Sequence, residues 1–140
     1  MTSPPAPVPH PAATELRSWS LDAVGGLRHL RADLRAAVIG TPLDDEDGVG
    51  RITVVATELA TNALRHGRGP AVIRLLQEPG ALTLDVADHD VTGEPLFDER
   101  RPIGLGGLGL RLARTFASDL GWYRTLKTKN IWARFDFVRD

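Results

Sequence analysis

The stretch Thr57-Glu58-Leu59-Ala60-Thr61-Asn62-Ala63-Leu64-Arg65-His66-Gly67 decides how the rest of this 140-residue chain is read. Its apolar residues continue a helical period set by Ile52, Val55, Leu59 and Ala63, which predicts a helix from about Ile52 to His66. Glu58, Asn62 and His66 fall at i, i+4 and i+8, so they form one polar stripe beside the buried face. A carboxylate, a carboxamide and an imidazole in line can hold a metal-phosphate group and orient a nucleophile, and they can equally be a plain solvated helix face. Gly67 ends the helix as a residue suited to a left-handed cap.

Upstream, Leu21, Val24, Leu27, Leu30, Leu34 and Val38 recur at helical spacing and predict a first amphipathic helix over Leu21–Val38. Ser20 or Asp22 is placed to cap it, and Gly40 followed by Pro42 stops it. Asp44 to Asp47 read as an acidic loop ending at Gly48 and Gly50. Downstream the period changes to two. Ala71–Gln77 and Ala81–Ala87, joined by Glu78, Pro79 and Gly80, predict an antiparallel hairpin.

The second hairpin strand runs out into carboxylates, Asp85-Val86-Ala87-Asp88-His89-Asp90. An aspartate at such a strand end can accept a hydrogen bond from the exocyclic amine of a base, or can form a turn. Asp88, His89 and Asp90 are sequence neighbours and do not readily converge on one metal ion. From His89 to Ile103 the chain is polar and aperiodic, a long loop of the kind that usually carries function.

Gly104-Leu105-Gly106-Gly107-Leu108-Gly109 then runs into an apolar helix containing Leu108, Leu112 and Phe116. Glycines let a backbone approach a phosphate closely, and the helix start offers free N–H groups and the positive end of the dipole. A flexible hinge is the plainer reading. The cluster formally matches a dinucleotide fingerprint, but Pro95 to Ile103 precede it where that motif needs a buried strand. Two closing strands, about Trp122–Leu126 and Ile131–Val138, turn at Lys127–Asn130. Helices on one face of a mixed, mostly antiparallel sheet, a two-layer α+β sandwich, is the economical architecture for this order.

Composition bounds the function. Apolar residues make up 42% and charged residues 25% of the chain, which fits one folded domain. Seventeen basic and eighteen acidic side chains give a net charge of −1, so no overall positive field draws the protein to nucleic acid or to anionic membranes. There is no cysteine, which excludes thiolate chemistry and points to a reducing cytoplasm. No stretch approaches the roughly 20 apolar residues needed to cross a bilayer. The first thirteen residues hold Pro4, Pro5, Pro7, Pro9 and Pro11, and residues 1–13 are expected to be a disordered tail ahead of a single domain, 14–140.

In this order the clusters resemble the GHKL superfamily of ATP-binding domains, of the histidine-kinase-like ATPase type. Within it the chain is most similar to the small serine/threonine kinases that act as anti-sigma factors, the RsbW-like group. Glu58 to Gly67 look like that group's N-box, Gly107-Leu108-Gly109-Leu110-Arg111-Leu112 like its second glycine box, and Lys129-Asn130-Ile131-Trp132 like its closing strand.

The resemblance implies an α/β sandwich that binds ATP with Mg²⁺. Asn62 would be the Mg²⁺ ligand, and Glu58 the general base or the carboxylate that orients the nucleophile. Asp88 would bind the adenine amino group, and His66 would shape the nucleotide pocket. Gly104, Gly106, Gly107, Leu108 and Gly109 would meet the phosphates, with His89 to Gly106 as the lid. The implied partners are an anti-sigma-factor antagonist, phosphorylated on serine or threonine, and a sigma factor held inactive; a homodimer is implied as well. A non-catalytic module of the same fold that sequesters a regulatory partner is the alternative.

This chain departs from the family pattern at three places. Asp88 is followed by His89-Asp90-Val91-Thr92 instead of early glycines, Leu105 stands where a basic residue is usual, and Asn130 stands where the family often has threonine.

Overall fold

The computed structural model describes residues 12–92 and 108–137. All but the last two residues of the expected tail, most of the expected lid, and Gly104, Gly106 and Gly107 lie outside the described residues. The elements run β1 (Thr14–Leu21), a 3-10 turn (Val24–Gly26), α1 (Leu27–Ala37), α2 (Glu46–His66), β2 (Ala71–Glu78) and β3 (Ala81–Asp88). They continue with α3 (Leu108–Phe116), β4 (Asp119–Arg124) and β5 (Lys129–Asp136). The five strands form one sheet in the order β1-β2-β3-β5-β4. All four pairings among the described residues are antiparallel, in keeping with the expected two-layer α+β sandwich on a mostly antiparallel sheet.

The helices cover one face of this sheet, as the periodicity implies. Leu30, Leu34, Ile52, Val55, Leu59 and Ala63 from the helices meet Ile73, Leu75, Leu82, Leu84, Ala133 and Phe135 from the sheet in one apolar core. α2 is the central helix, with both α1 and α3 packed against it.

Three local expectations change. β1 is a strand where no element was expected, and it takes Leu21, the expected start of the first helix; neither Ser20 nor Asp22 caps α1, whose N-cap is Gly26. α2 starts at Glu46, so the acidic loop is its first turn. The Asp45 side chain accepts a hydrogen bond from the Gly48 N–H at 2.6 Å, while Glu46 and Asp47 face the positive end of the helix dipole. Gly48 does not break the helix; it is the residue that fits there, because a Cβ would lie 2.5 Å from the Leu43 carbonyl oxygen. Finally, β5 begins at Lys129, and the closing turn is Thr125–Thr128, held by the Thr125 N–H donating to the Thr128 carbonyl at 2.9 Å.

Candidate nucleotide site

α2 carries Glu58, Asn62 and His66 along one edge. Glu58 and Asn62 are half-buried and one turn apart, and His66 is exposed in the last turn. Among the described residues, neither the Glu58 carboxylate nor the Asn62 carboxamide takes part in a hydrogen bond or ion pair within the protein. An oxygen pair held on a rigid helix with its lone pairs free is suited to ligand, and magnesium arriving with phosphates needs only one or two protein oxygens. Among the described residues, no group of three or more His, Asp or Glu side chains is placed to hold a metal by itself.

The same helix delivers its end to Asp88. Asp88 closes β3, is 4% exposed, and lies against Gly67, the residue that ends α2. The two chain segments are tied there by the His89 N–H, which donates to the Arg68 carbonyl at 2.7 Å. Gly67 has an extended backbone (φ −100°), so the expected left-handed cap is not what makes it glycine. What makes it glycine is space. A Cβ at this position would overlap the Asp88 carboxyl group and lie 2.7 Å from the Ala63 carbonyl oxygen.

Gly67→Ala is accordingly expected to destabilise the fold by about 1–3 kcal/mol in urea unfolding, as overpacking does. Gly50→Ala, where a Cβ meets nothing within 4 Å, is expected to cost nothing. An equal effect of the two would remove the steric argument.

Burial pushes the Asp88 carboxyl above its ordinary value of 3.8, against the opposing pull of the Asp90 N–H and of Lys129. A carboxyl raised in this way favours folding below its unfolded pKa and loses that advantage as pH rises through its folded pKa. Holding Asp88 ionised is thus a cost to the fold, and such a cost is typical of a functional position. The Asp90 N–H donates to Asp88 Oδ1 at 2.7 Å, and the Thr92 N–H and hydroxyl both bond Asp90 Oδ1, so side-chain hydrogen bonds close the 88–92 segment into a tight turn.

Two neighbouring residues were not expected at the site. Gly67 was read as a helix cap and as the last residue of the N-box-like stretch, with no contact to Asp88 expected. Lys129 was read as part of a turn and, by resemblance, as the start of the closing strand, with no role at the site; it opens β5 as the direct partner of Asp88, with its ammonium 3.9 Å from Asp88 Oδ2. Asn130 instead faces the other side of the sheet, donating to Asp85 Oδ1 at 2.7 Å. The signal was available in the register, because strand partners share a face and a one-residue slip reverses it.

Leu108 and Gly109 open α3, which packs on α2, so the start of that helix belongs to the layer that carries Glu58 and Asn62. Among the described residues, no helix is long and apolar enough to cross a membrane. No curated protein matches the chain. A family model described as a histidine kinase-like ATPase domain matches residues 19–135, from the middle of β1 to the end of β5. With that match spanning every element of the sandwich, the chain belongs to the histidine kinase-like ATPase domains, a family of ATP-binding regulators.

Proposed function

We propose that the protein is an ATP-dependent serine/threonine kinase of the anti-sigma-factor type, which phosphorylates an antagonist protein and otherwise holds a sigma factor inactive. The observation that carries this reading is the pairing of Glu58 and Asn62, one helical turn apart on α2 with their oxygens uncommitted among the described residues. Bound Mg²⁺-ATP supplies the phosphoryl group and the cation that offsets its charge. Asn62 holds the metal through its carboxamide oxygen. Glu58 accepts the proton of the acceptor hydroxyl as the new P–O bond forms and the bond to the ADP oxygen breaks. Asp88 accepts from the adenine amino group, and Gly104, Gly106, Gly107, Leu108 and Gly109 approach the phosphates.

The test is calorimetric titration of the full chain with Mg²⁺-ATP. The wild type is expected to bind, and Asn62→Ala to bind roughly 10–100-fold more weakly, as loss of a metal-site contact does. No binding by the wild type would sink the reading.

One observation favours a second reading, a module that binds ATP and sequesters its partner without turnover. The Asp88–Thr92 turn is closed by side-chain hydrogen bonds of Asp88 and Asp90, where the catalytic relatives implied by the resemblance have glycines that give the lid its freedom. Binding without phosphoryl transfer would select it.

A further inference from the structure

Lys129 is a buried cation with unspent donors. Its side chain is 9% exposed and that of Asp88 6%, and the ammonium lies 3.9 Å from Asp88 Oδ2 and 4.0 Å from Asp90 Oδ2. Those distances allow charge neutralisation and exceed hydrogen-bond reach. An ammonium has three N–H donors, and here none is spent on a described partner within the protein, so the accessible tip of the side chain is free to donate to a ligand. Among the described residues, Lys129 makes no hydrogen bond through its side chain.

The placement is fixed by the sheet. Asp88 and Lys129 are strand partners, and Asn130 is anchored on the opposite face by Asp85 and by the Thr128 hydroxyl, which donates to Asn130 Oδ1 at 2.6 Å. Lys129 must therefore project to the helix-covered face with Asp88. Arg124, its partner on β4, stacks over the Trp122 ring at 5.0 Å. The floor beside the end of α2 thus presents a carboxylate acceptor and an ammonium donor next to each other.

We infer that Lys129 is a specificity-determining contact for the base, donating to N1 of adenine while Asp88 accepts from the N6 amino group. The inference rests on the nucleotide site proposed above and adds a residue to it. Adenine carries a donor at N6 beside an acceptor at N1, which matches the carboxylate–ammonium pair. Guanine carries an acceptor at O6 and a donor at N1, so both contacts would be mismatched in that register. Sites that spend buried polar groups on a ligand reject analogues that lack the matching atom.

The test uses the full chain and two ligands, Mg²⁺-ATP and Mg²⁺-1-deaza-ATP, in which N1 is replaced by C–H while the amino group stays. The wild type is expected to bind ATP about 10-fold or more tightly than the deaza analogue, the scale of one charge-assisted hydrogen bond. Lys129→Met is expected to lose about that factor for ATP and to bind the two ligands alike. Lys129→Gln, with a neutral donor, serves if methionine leaves the Asp88 charge too costly to fold, and is expected to keep part of the preference. Equal affinity of the wild type for both ligands, or an undiminished preference in either variant, would overturn the inference alone. No affinity of the wild type for ATP would overturn the nucleotide site itself, and this inference with it.

Discussion

Asp85→Ala is expected to lower folding stability by about 3–5 kcal/mol, the scale of breaking a buried charged network by removing one partner. Asp85 sits at the middle of β3 on the face away from the helices, and it is fully buried. The Tyr123 hydroxyl donates to its Oδ2 at 2.5 Å and the Asn130 amide to its Oδ1 at 2.7 Å. Arg74 approaches Oδ2 at 3.4 Å. One carboxylate therefore gathers donors from β2, β4 and β5, and its loss leaves the buried Tyr123 hydroxyl and Asn130 amide without their acceptor.

The Tyr123 hydroxyl is pushed far above its ordinary value of 10.0 by burial and by the Asp85 charge, so it stays a donor throughout the working pH range. Urea unfolding measures the effect, and Tyr123→Phe is the comparison. It removes one donor while leaving the carboxylate its other partners, and is expected to cost only about 1 kcal/mol. If Asp85→Ala proved as mild as Tyr123→Phe, the network would not be what holds the outer face together.

That network also shows where sequence reasoning stops. Asp85 was visible as one of three aspartates at the end of a strand, and its partners 38 and 45 residues away were not. Local elements were legible because their signals are local: the Ile52-Val55-Leu59-Ala63 stripe marks most of α2, and the alternation of Leu82, Leu84 and Val86 marks β3. β1 was not legible for a physical reason. As an edge strand it pairs only with β2, its outer residues are polar, and a bulge between Glu15 and Arg17 interrupts the alternation of Leu16, Trp19 and Leu21. Leu21 then joined the helical pattern that follows it.

The start of α2 was hidden by Gly48 and Gly50, which weigh against helix by propensity, while tertiary packing on Leu43 requires the first of them. The same distinction separates the site residues. Glu58, Asn62 and Asp88 could be named as candidates, the first two from type and spacing and Asp88 from its strand-end position and the resemblance. Gly67 and Lys129 act through contacts with Asp88, which only the register and the fold define.

Glu58→Ala is expected to reduce phosphoryl transfer from Mg²⁺-ATP to the acceptor protein by about 10²–10⁴-fold, the contribution of a positioned general base. ATP affinity should stay within about 2-fold of wild type, because in the proposed mechanism this carboxylate acts on the acceptor hydroxyl and not on the nucleotide. Asn62→Ala, one turn away on α2, should do the reverse and lose affinity first. The contrast matters more than either value. Both side chains are half-buried on one helix edge and neither bonds to another described residue, so a general loss of helix integrity would move them together. Separate effects on transfer and affinity require separate roles. Radiolabel transfer to the purified acceptor, run beside calorimetry on the same preparations, gives both readouts. Undiminished transfer by Glu58→Ala would take Glu58 out of the mechanism, and absent transfer by the wild type despite tight ATP binding would leave the sequestering module as the function of this fold.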